Sequence, residues 1–211
     1  MRSSGEALRE VKNGNIDLVY FLLGADYYLQ NLIISEISKV IFNDIKEDKT
    51  FLLPDDMKSE DIIDRITQSD LFSTKKLLVL RNPGNLRNKA RSDFLSYCKN
   101  PMANICLIII EDEFSDRKSI TKELKKINNT VSVQTPFPSE MKKWTRFMLS
   151  EKQLTFQDSI IDIIVEVAGD SLFHIENEIE KISLNIKDGE EITIDFINQS
   201  SGWRMQYKRW Q

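Results

Sequence analysis

Residues 17–33 read "DLVYFLLGADYYLQNLI" and join a continuous apolar run to a helical pattern through a single glycine. The run at 17–23 predicts a strand buried on both faces, because a strand with one face in water would alternate apolar and polar residues. Gly24 ends that run. An apolar stripe that begins at Leu29 then has the spacing of one helix face. The stretch therefore predicts a buried strand followed by an amphipathic helix, the repeating unit of a parallel α/β sheet.

The same alternation continues along the first two thirds of the chain. Further strands are predicted at 50–54, 77–80, 104–110 and 130–135, and helices at 3–12, 59–68, 91–98 and 119–127. Ser3 and Glu6 have the spacing of a capping box, which indicates where the first helix begins. Strands that alternate with helices predict the α/β class, with a parallel sheet flanked by helices on both faces.

The pattern changes after the proline-containing stretch "TPFPSE" at 135–140. Beyond it only helices are predicted, at about 140–152, 157–168, 171–186 and 193–199. We therefore expect an α/β domain at 1–137 and a small helical domain at 138–211.

Composition limits the classes of function. The chain has 211 residues and a net charge of −4, which argues against a surface dedicated to coating nucleic acid. No apolar run has the length of a membrane span, and the N-terminus lacks the apolar core of a signal peptide. Cys98 and Cys106 are too few for a disulfide framework and are expected to be reduced. We expect a cytoplasmic protein without a membrane partner.

An α/β domain followed by a helical lid suggests a nucleotide-binding protein, whose phosphates would be bound by a P-loop at the first strand-to-helix turn. A P-loop needs several glycines, whose backbone amides wrap the phosphates, and a lysine that reaches them. Here the turn has one glycine and no lysine, Asp26 would repel phosphate, and Tyr27 and Tyr28 would fill the space. The sequence therefore predicts no bound nucleotide and no cofactor.

The stretch "LIIIEDE" at 107–113 supports an alternative interpretation. Acidic residues after a buried strand can hold Mg²⁺ through water, and a divergent P-loop-related NTPase would use Asp112 and Glu113. The simpler interpretation is a strand that leaves the core into a solvated acidic loop. His174 is the only histidine, no cluster of metal ligands is visible, and Glu176 and Glu180 are expected on a solvated helix face. We expect neither catalytic residues nor a metal site.

A leucine and a phenylalanine stand among polar residues in "SDLFSTKKLLVLRN" at 69–82. Leu71 and Phe72 either fill a pocket on a partner or fold beneath the strand at 77–80 as ordinary core, as they would in a scaffold module. The stretch "GWRMQYKRWQ" at 202–211 is basic and aromatic, which suits either stacking on nucleic acid or an interdomain helix.

Five stretches in this order resemble the delta-subunit family of the bacterial DNA polymerase III clamp loader. They are "VYFLLGADYYLQNLI" at 19–33, "SDLFSTKKLLVLRN" at 69–82, "FLSYCKNP" at 94–101, "CLIIIEDEFSDRK" at 106–118 and "VEVAGDSLFHIENEIEKISL" at 165–184. The resemblance implies an AAA+-like α/β domain, a helical lid and a third, collar domain. We expect the collar domain to be absent from this chain.

The resemblance also implies that nucleotide chemistry is missing. The strand at the Walker B place ends in Arg81 and Asn82 instead of an acidic pair, and Phe173 stands where active relatives have an arginine. We expect a subunit without intrinsic activity, although the family is catalogued with DNA-directed DNA polymerase, a nucleotidyltransferase.

Leu71 and Phe72 match the hydrophobic pair with which delta subunits plug a pocket on the ring-shaped sliding clamp. The resemblance implies a protein that binds the sliding clamp (the beta subunit) and promotes its opening for loading onto primed DNA. Other expected partners are the gamma/tau and delta prime subunits, contacted through the missing collar, while contact with DNA is expected to be indirect or weak.

Overall fold

The computed structural model describes residues 1–43, 49–68, 75–113, 119–127, 129–187 and 189–200. The chain divides into two compact units, Met1–Gln134 and Thr135–Gln211. The first helix of the second unit begins at Pro138, close to the proline-containing boundary in the sequence.

A six-stranded parallel sheet organises the first unit. Its strands are β1 (Arg2–Ser3), β2 (Val19–Leu23), β3 (Thr50–Leu52), β4 (Lys76–Arg81), β5 (Ile105–Glu111) and β6 (Thr130–Ser132). They lie in the order β1-β6-β2-β5-β4-β3, so β2 and β5, the two strands buried at every position, are neighbours at the centre of the sheet. The predicted α/β class with a parallel sheet is confirmed.

Helices connect these strands, as parallel pairing requires. They are α1 (Ser4–Lys12), α2 (Tyr27–Phe42), α3 (Ser59–Thr67), α4 (Asn88–Lys99) and α5 (Ser119–Ile127), with a short 3₁₀ turn at Pro83–Asn85. The predicted capping box is present: the Ser3 hydroxyl accepts from the Glu6 backbone N–H, and the Glu6 carboxylate accepts from the Ser3 backbone N–H.

The core of the first unit follows from the alternation of side chains along the strands. Val19, Phe21 and Leu23 pack with buried residues of α3, α4 and α5 on one face of the sheet. Their neighbours Tyr20 and Leu22 are equally buried and point to the opposite face. The helices α1 and α2 pack against each other as a separate pair. Burial on both faces explains why β2 has no polar positions.

The described part of the second unit contains four helices: α6 (Pro138–Glu151), α7 (Asp158–Ala168), α8 (Leu172–Asn185) and α9 (Ile194–Ser200). A parallel pair of two-residue strands, β7 (Thr155–Phe156) and β8 (Glu191–Ile192), accompanies them and was not predicted. Gly169 follows the last residue of α7 with a φ of 81°, a backbone conformation that glycine adopts more readily than other residues, and the helix ends there. Among the helices described in both units, none combines the length and apolarity needed to cross a membrane.

Candidate functional site

The carboxyl ends of β2, β4 and β5 lie side by side at one edge of the sheet. In open parallel sheets, ligands bind outside this edge, and a P-loop would occupy the turn between β2 and α2. The atoms around that turn therefore decide what the first unit can bind there.

Gly24 holds the turn close to the end of β6. Its N–H donates a 3.0 Å hydrogen bond to the Glu111 carbonyl, and the Asp26 N–H donates a 2.9 Å hydrogen bond to the Val133 carbonyl. Gly24 has a φ of 133°, and a Cβ at this position would lie 2.5 Å from the backbone carbon of Val133. Only glycine fits, because a side chain would collide with the neighbouring backbone. The turn is short and pressed against β6, instead of being a wide loop of outward-pointing amides.

Asp26 is the N-cap of α2. Its buried carboxylate accepts a 3.0 Å hydrogen bond from the Leu29 backbone N–H. Free amides at a helix N-terminus and the positive end of the helix dipole are what attract phosphate in P-loop proteins. Here the chain's own carboxylate takes one of those amides and adds a negative charge that opposes a second anion.

Gln30, the fourth residue of α2, contacts the ends of three strands, β2, β4 and β5. Its side chain is 1% exposed. The Nε2 group donates 2.8 Å hydrogen bonds to the Gly24 carbonyl and to the Asp112 carboxylate. Its Oε1 atom accepts a 2.6 Å hydrogen bond from Arg81, whose guanidinium also lies 3.4 Å from Asp112. We call Gln30, Arg81 and Asp112 the strand-end network.

An aromatic ring lies beside the strand-end network. The guanidinium carbon of Arg81 is 5.9 Å from the centre of the Tyr27 ring, a cation–π distance. Tyr27 is exposed to solvent, whereas the side chain of Tyr28 is buried. Arg81 is therefore engaged by a ring, an amide oxygen and a carboxylate.

The side chains of Gln30, Arg81 and Asp112 form polar contacts with one another at this edge. Asp112, which the alternative NTPase interpretation would use for Mg²⁺, accepts from Gln30 and contacts Arg81. In the described part of the chain, His, Cys, Asp and Glu side chains form no group of three or more that could hold a metal ion. The arrangement ties β4 and the segment after β5 to α2.

Phe173 lies exposed on the first turn of α8, beside the ring of His174, whose centre is 5.9 Å away. Glu176 and Glu180 share a face of the same helix, as predicted; Glu176 is exposed to solvent and Glu180 is partly exposed. Lys152 forms an ion pair with Glu180. Partial burial and the charge of Glu180 raise the pKa of Glu176 above its ordinary value.

The two cysteines are buried as free thiols. Burial raises the pKa of Cys98 to about 12 and, together with the nearby charge of Asp17, raises that of Cys106 to about 12. A thiol with such a pKa is almost entirely protonated at neutral pH and is a poor nucleophile.

Leu71 and Phe72 lie outside the described residues, so their role in binding a clamp stays a prediction. The described chain on either side shows where that stretch is attached. The helix α3 ends at Thr67, and β4 begins at Lys76. The basic aromatic stretch at 202–211 also lies outside the described residues.

The roles of Gln30 and Arg81 were missed in the sequence. Arg81 was recognised only as the residue that replaces an acid at a strand end, and Gln30 was not singled out. A glutamine among the apolar residues of a core helix is a usable signal, because a buried amide requires partners. Its partners could not be named, since they lie 51 and 82 residues away.

Comparison with known structures defines the class of the fold. The chain matches the Bacillus subtilis DNA clamp loader delta protein YqeN with a TM-score of 0.71 and 21% identity, over 93% of this chain and 61% of that one. It matches the Thermotoga maritima RuvB Holliday junction branch migration motor with a TM-score of 0.51 and 12% identity, over 93% and 65% of the two chains. Domain III of the T. maritima replication initiation protein DnaA gives 0.50 and 14%, over 93% and 88%. The fold is AAA+-like.

Sequence comparison then places the chain within that class. The family model described as "DNA polymerase III, delta subunit" matches residues 20–134, more than half of the chain. The chain therefore belongs to the DNA polymerase III delta-subunit family. A curated relative, DNA polymerase III subunit delta of B. subtilis strain 168, is 25% identical over 201 residues, which are 89% of this chain and 57% of the relative. The chain thus spans somewhat more than half the length of that relative.

Proposed function

We propose that this chain is a clamp-loader subunit that binds the sliding clamp and promotes its opening during DNA replication, without ATP chemistry of its own. The observation that carries the proposal is the family match over residues 20–134, which spans the strand-end network and the stretch with Leu71 and Phe72. The similarity to the B. subtilis clamp loader delta protein covers 93% of the chain and supports it.

The lack of ATP chemistry is supported by the turn after β2. Gly24 presses the turn against Val133, and the Asp26 carboxylate accepts the Leu29 amide at the N-terminus of α2. At the adjacent strand end, the Arg81 guanidinium donates a hydrogen bond to the side-chain oxygen of Gln30. A triphosphate would have to displace these contacts and approach a carboxylate, so we propose that other subunits hydrolyse ATP.

Clamp binding is assigned to Leu71 and Phe72. Each side chain could contribute about 1.5–3 kcal/mol when transferred from water to an apolar pocket. Large apolar side chains that fill a pocket at the centre of an interface commonly carry most of its binding energy. The two residues are therefore the expected anchors.

Opening of the clamp needs no reaction on this chain. A protein that binds the open ring more tightly than the closed ring shifts the equilibrium toward the open form by the difference in binding free energy. The chain acts as a ligand with a preference for one conformation of its partner. We propose that the gamma/tau and delta prime subunits are its other partners, that DNA contact is indirect or weak, and that the protein works in the cytoplasm.

We also propose that the two units have different roles. The α/β domain at 1–137 would carry the clamp-binding residues, and the helical domain at 138–211 would act as the lid. The collar domain expected from the family would hold the other subunits.

The test is clamp binding by a variant with Leu71→Ala and Phe72→Ala. Truncating two anchors should cost about 4 kcal/mol together, which is roughly a thousandfold in affinity. A matched control carries Leu184→Ala and Phe173→Ala, because this leucine and phenylalanine are 76% and 52% exposed on α8. The control should bind like the unchanged protein, and both variants should keep its melting temperature.

Two results would contradict the proposal. A Leu71/Phe72 variant that unfolds more easily by several kcal/mol would place the pair in the core, as expected of a scaffold module. A folded variant that still binds the clamp would place the anchors elsewhere.

The alternative function has its own test. Micromolar binding of Mg-ATP in a calorimetric titration would favour the divergent NTPase with Asp112 and Glu113.

A further inference from the structure

We propose that a cavity at the amino-terminal edge of the sheet binds a small aliphatic carboxylate. This edge is opposite to the strand-end network, and the cavity has a volume of about 260 Å³. Its lining comes from four parts of the first unit: the stretch before β2, the end of α2, the start of β4 and the turn that leads into β5. Pockets for drug-sized ligands measure about 300–1,000 Å³, so a ligand of this cavity must be smaller.

Five residues in the lining have aliphatic side chains. They are Ile16, Leu18, Val40, Ile41 and Ala103. Leu18 is 36% exposed although it directly precedes the buried strand β2, and its backbone carbonyl accepts a 2.9 Å hydrogen bond from the Leu107 N–H. The sheet thus fixes the backbone of Leu18, while its side chain still presents apolar surface to water. An aliphatic chain that covers this surface would remove apolar area from water, which favours binding.

Two lysines determine the charge of the cavity. Lys75 and Lys76 belong to its lining, and none of the described residues in the lining is acidic. Lys75 is exposed and forms no ion pair with another described residue. Asp17 is close in sequence but does not line the cavity, and its carboxylate accepts a 2.6 Å hydrogen bond from Arg2. The lining therefore favours a negatively charged ligand over a neutral or positive one.

The wall and the charge together define the class of ligand. The aliphatic side chains suit a short hydrocarbon chain, and the ammonium groups suit a carboxylate at one end of it. A bound molecule of this kind would contact all four parts of the lining at once. It would therefore stabilise the first unit by mass action, because the unfolded chain has no such cavity.

A methyl NMR titration with octanoate tests the proposal, because it measures affinity and position together. We expect the methyl signals of Ile16 and Ile41 to shift with a Kd of about 1 mM. The signal of Ile109, which is buried among the core residues of α3, α4 and α5, should stay in place. From butanoate to octanoate, each added methylene should raise the affinity about three- to fourfold. Octanamide has the same chain without the charge and should bind at least about threefold more weakly.

Two variants with matched controls assign the contacts. Leu18→Asp places a carboxylate on the wall and should weaken octanoate binding at least about tenfold, whereas Leu184→Asp changes an exposed leucine of α8 and should have no effect. Lys75→Met should weaken binding about two- to fivefold, and Lys89→Met, at an exposed lysine of α4, should leave it unchanged. Lys75 is exposed, so its variant keeps the test decisive if Leu18→Asp does not fold.

Three results would overturn the inference. The first is the absence of shifts in the Ile16 and Ile41 methyl groups at about 10 mM octanoate. The second is equal affinity for octanamide and octanoate, which would show that the lysines do not select an anion. The third is a shift of these methyl groups on addition of the sliding clamp but not of octanoate, which would assign the cavity to a protein partner. The first two results would leave the proposed function standing, because clamp binding does not depend on this cavity.

Discussion

Arg81 donates a 2.6 Å hydrogen bond to the side-chain oxygen of Gln30, which lies 51 residues away in the sequence. The bond joins the carboxyl end of β4 to α2, next to the turn where a nucleotide-binding relative would hold phosphate. Gln30 also donates to the Gly24 carbonyl at the end of β2. The edge of the sheet that binds ligands in other α/β proteins is here held together by side chains of the protein itself.

Replacement of Arg81 by methionine should lower the free energy of unfolding by about 1–3 kcal/mol, because the buried Oε1 atom of Gln30 loses its donor. Urea unfolding followed by circular dichroism would measure the change. Arg87→Met is the matched control, since Arg87 is an exposed arginine at the N-cap of α4. It should stay within about 0.5 kcal/mol. Equal effects of the two substitutions would show that the strand-end network contributes nothing specific.

The cap of α2 makes a separate prediction. Asp26→Ala should cost about 1 kcal/mol, because the Leu29 N–H loses its acceptor, whereas Asp26→Asn should cost much less because asparagine is an equally good N-cap. Thermal unfolding of the three proteins gives the comparison. If asparagine were as damaging as alanine, the charge of Asp26 would matter to the fold beyond its capping bond.

Gly24 should not tolerate a side chain. Gly24→Ala places a Cβ 2.5 Å from the Val133 backbone at a φ of 133°, so we expect a loss of more than about 3 kcal/mol. Gly5→Ala is the control, because a Cβ there meets no atom within 4 Å and Gly5 lies inside α1. That substitution should stabilise the protein by up to about 1 kcal/mol. A tolerated Gly24→Ala would mean that β2 and β6 can move apart at this edge.

Both thiols should be unreactive in the folded protein. With pKa values of about 12, roughly one thiol in ten thousand is ionised at about pH 8, and burial also blocks access. Ellman's reagent should therefore react with Cys98 and Cys106 only after denaturant is added. Rapid labelling of the native protein would indicate local opening around β5 or α4.

Periodicity in the sequence predicted the long elements well and their spatial neighbours poorly. Strand β5 and helix α5 were predicted within a residue of their observed bounds, because six apolar residues in a row and a clear helical stripe leave few alternatives. The two-residue strand β1 was missed, since two residues have no period. The sheet order places β5 between β2 and β4, and this pairing depends on contacts that no local pattern encodes.

The same distinction applies to the candidate site. The missing P-loop lysine and the single Gly24 were readable as a local motif. The strand-end network was not, because Gln30, Arg81 and Asp112 come from three distant stretches. The anchors Leu71 and Phe72 were predicted by resemblance alone, so their assignment depends on the clamp-binding experiment.

Glu176 should make the protein less stable at neutral pH than at mildly acidic pH. Partial burial, followed by repulsion from Glu180, raises the pKa of Glu176 above its ordinary value of 4.5, while Lys152 lowers it. Between the unfolded and folded pKa values the native state binds more protons, so stability falls as the pH rises through this window. The penalty is then present in full above the folded pKa and absent below the unfolded one.

Glu176→Gln removes the charge and keeps the size of the side chain, so it should raise the melting temperature at about pH 7 and leave it unchanged well below the unfolded pKa. The gain should be under about 1 kcal/mol, because solvent screens a side chain that is only partly buried. In a Lys152→Met background the gain should be larger, since the opposing positive charge is gone. Melting curves of the four proteins across the acidic range test this directly. A Glu176→Gln protein that melts lower than the unchanged one at neutral pH would show that the carboxylate makes a stabilising contact, and the assigned cause of its shift would be wrong.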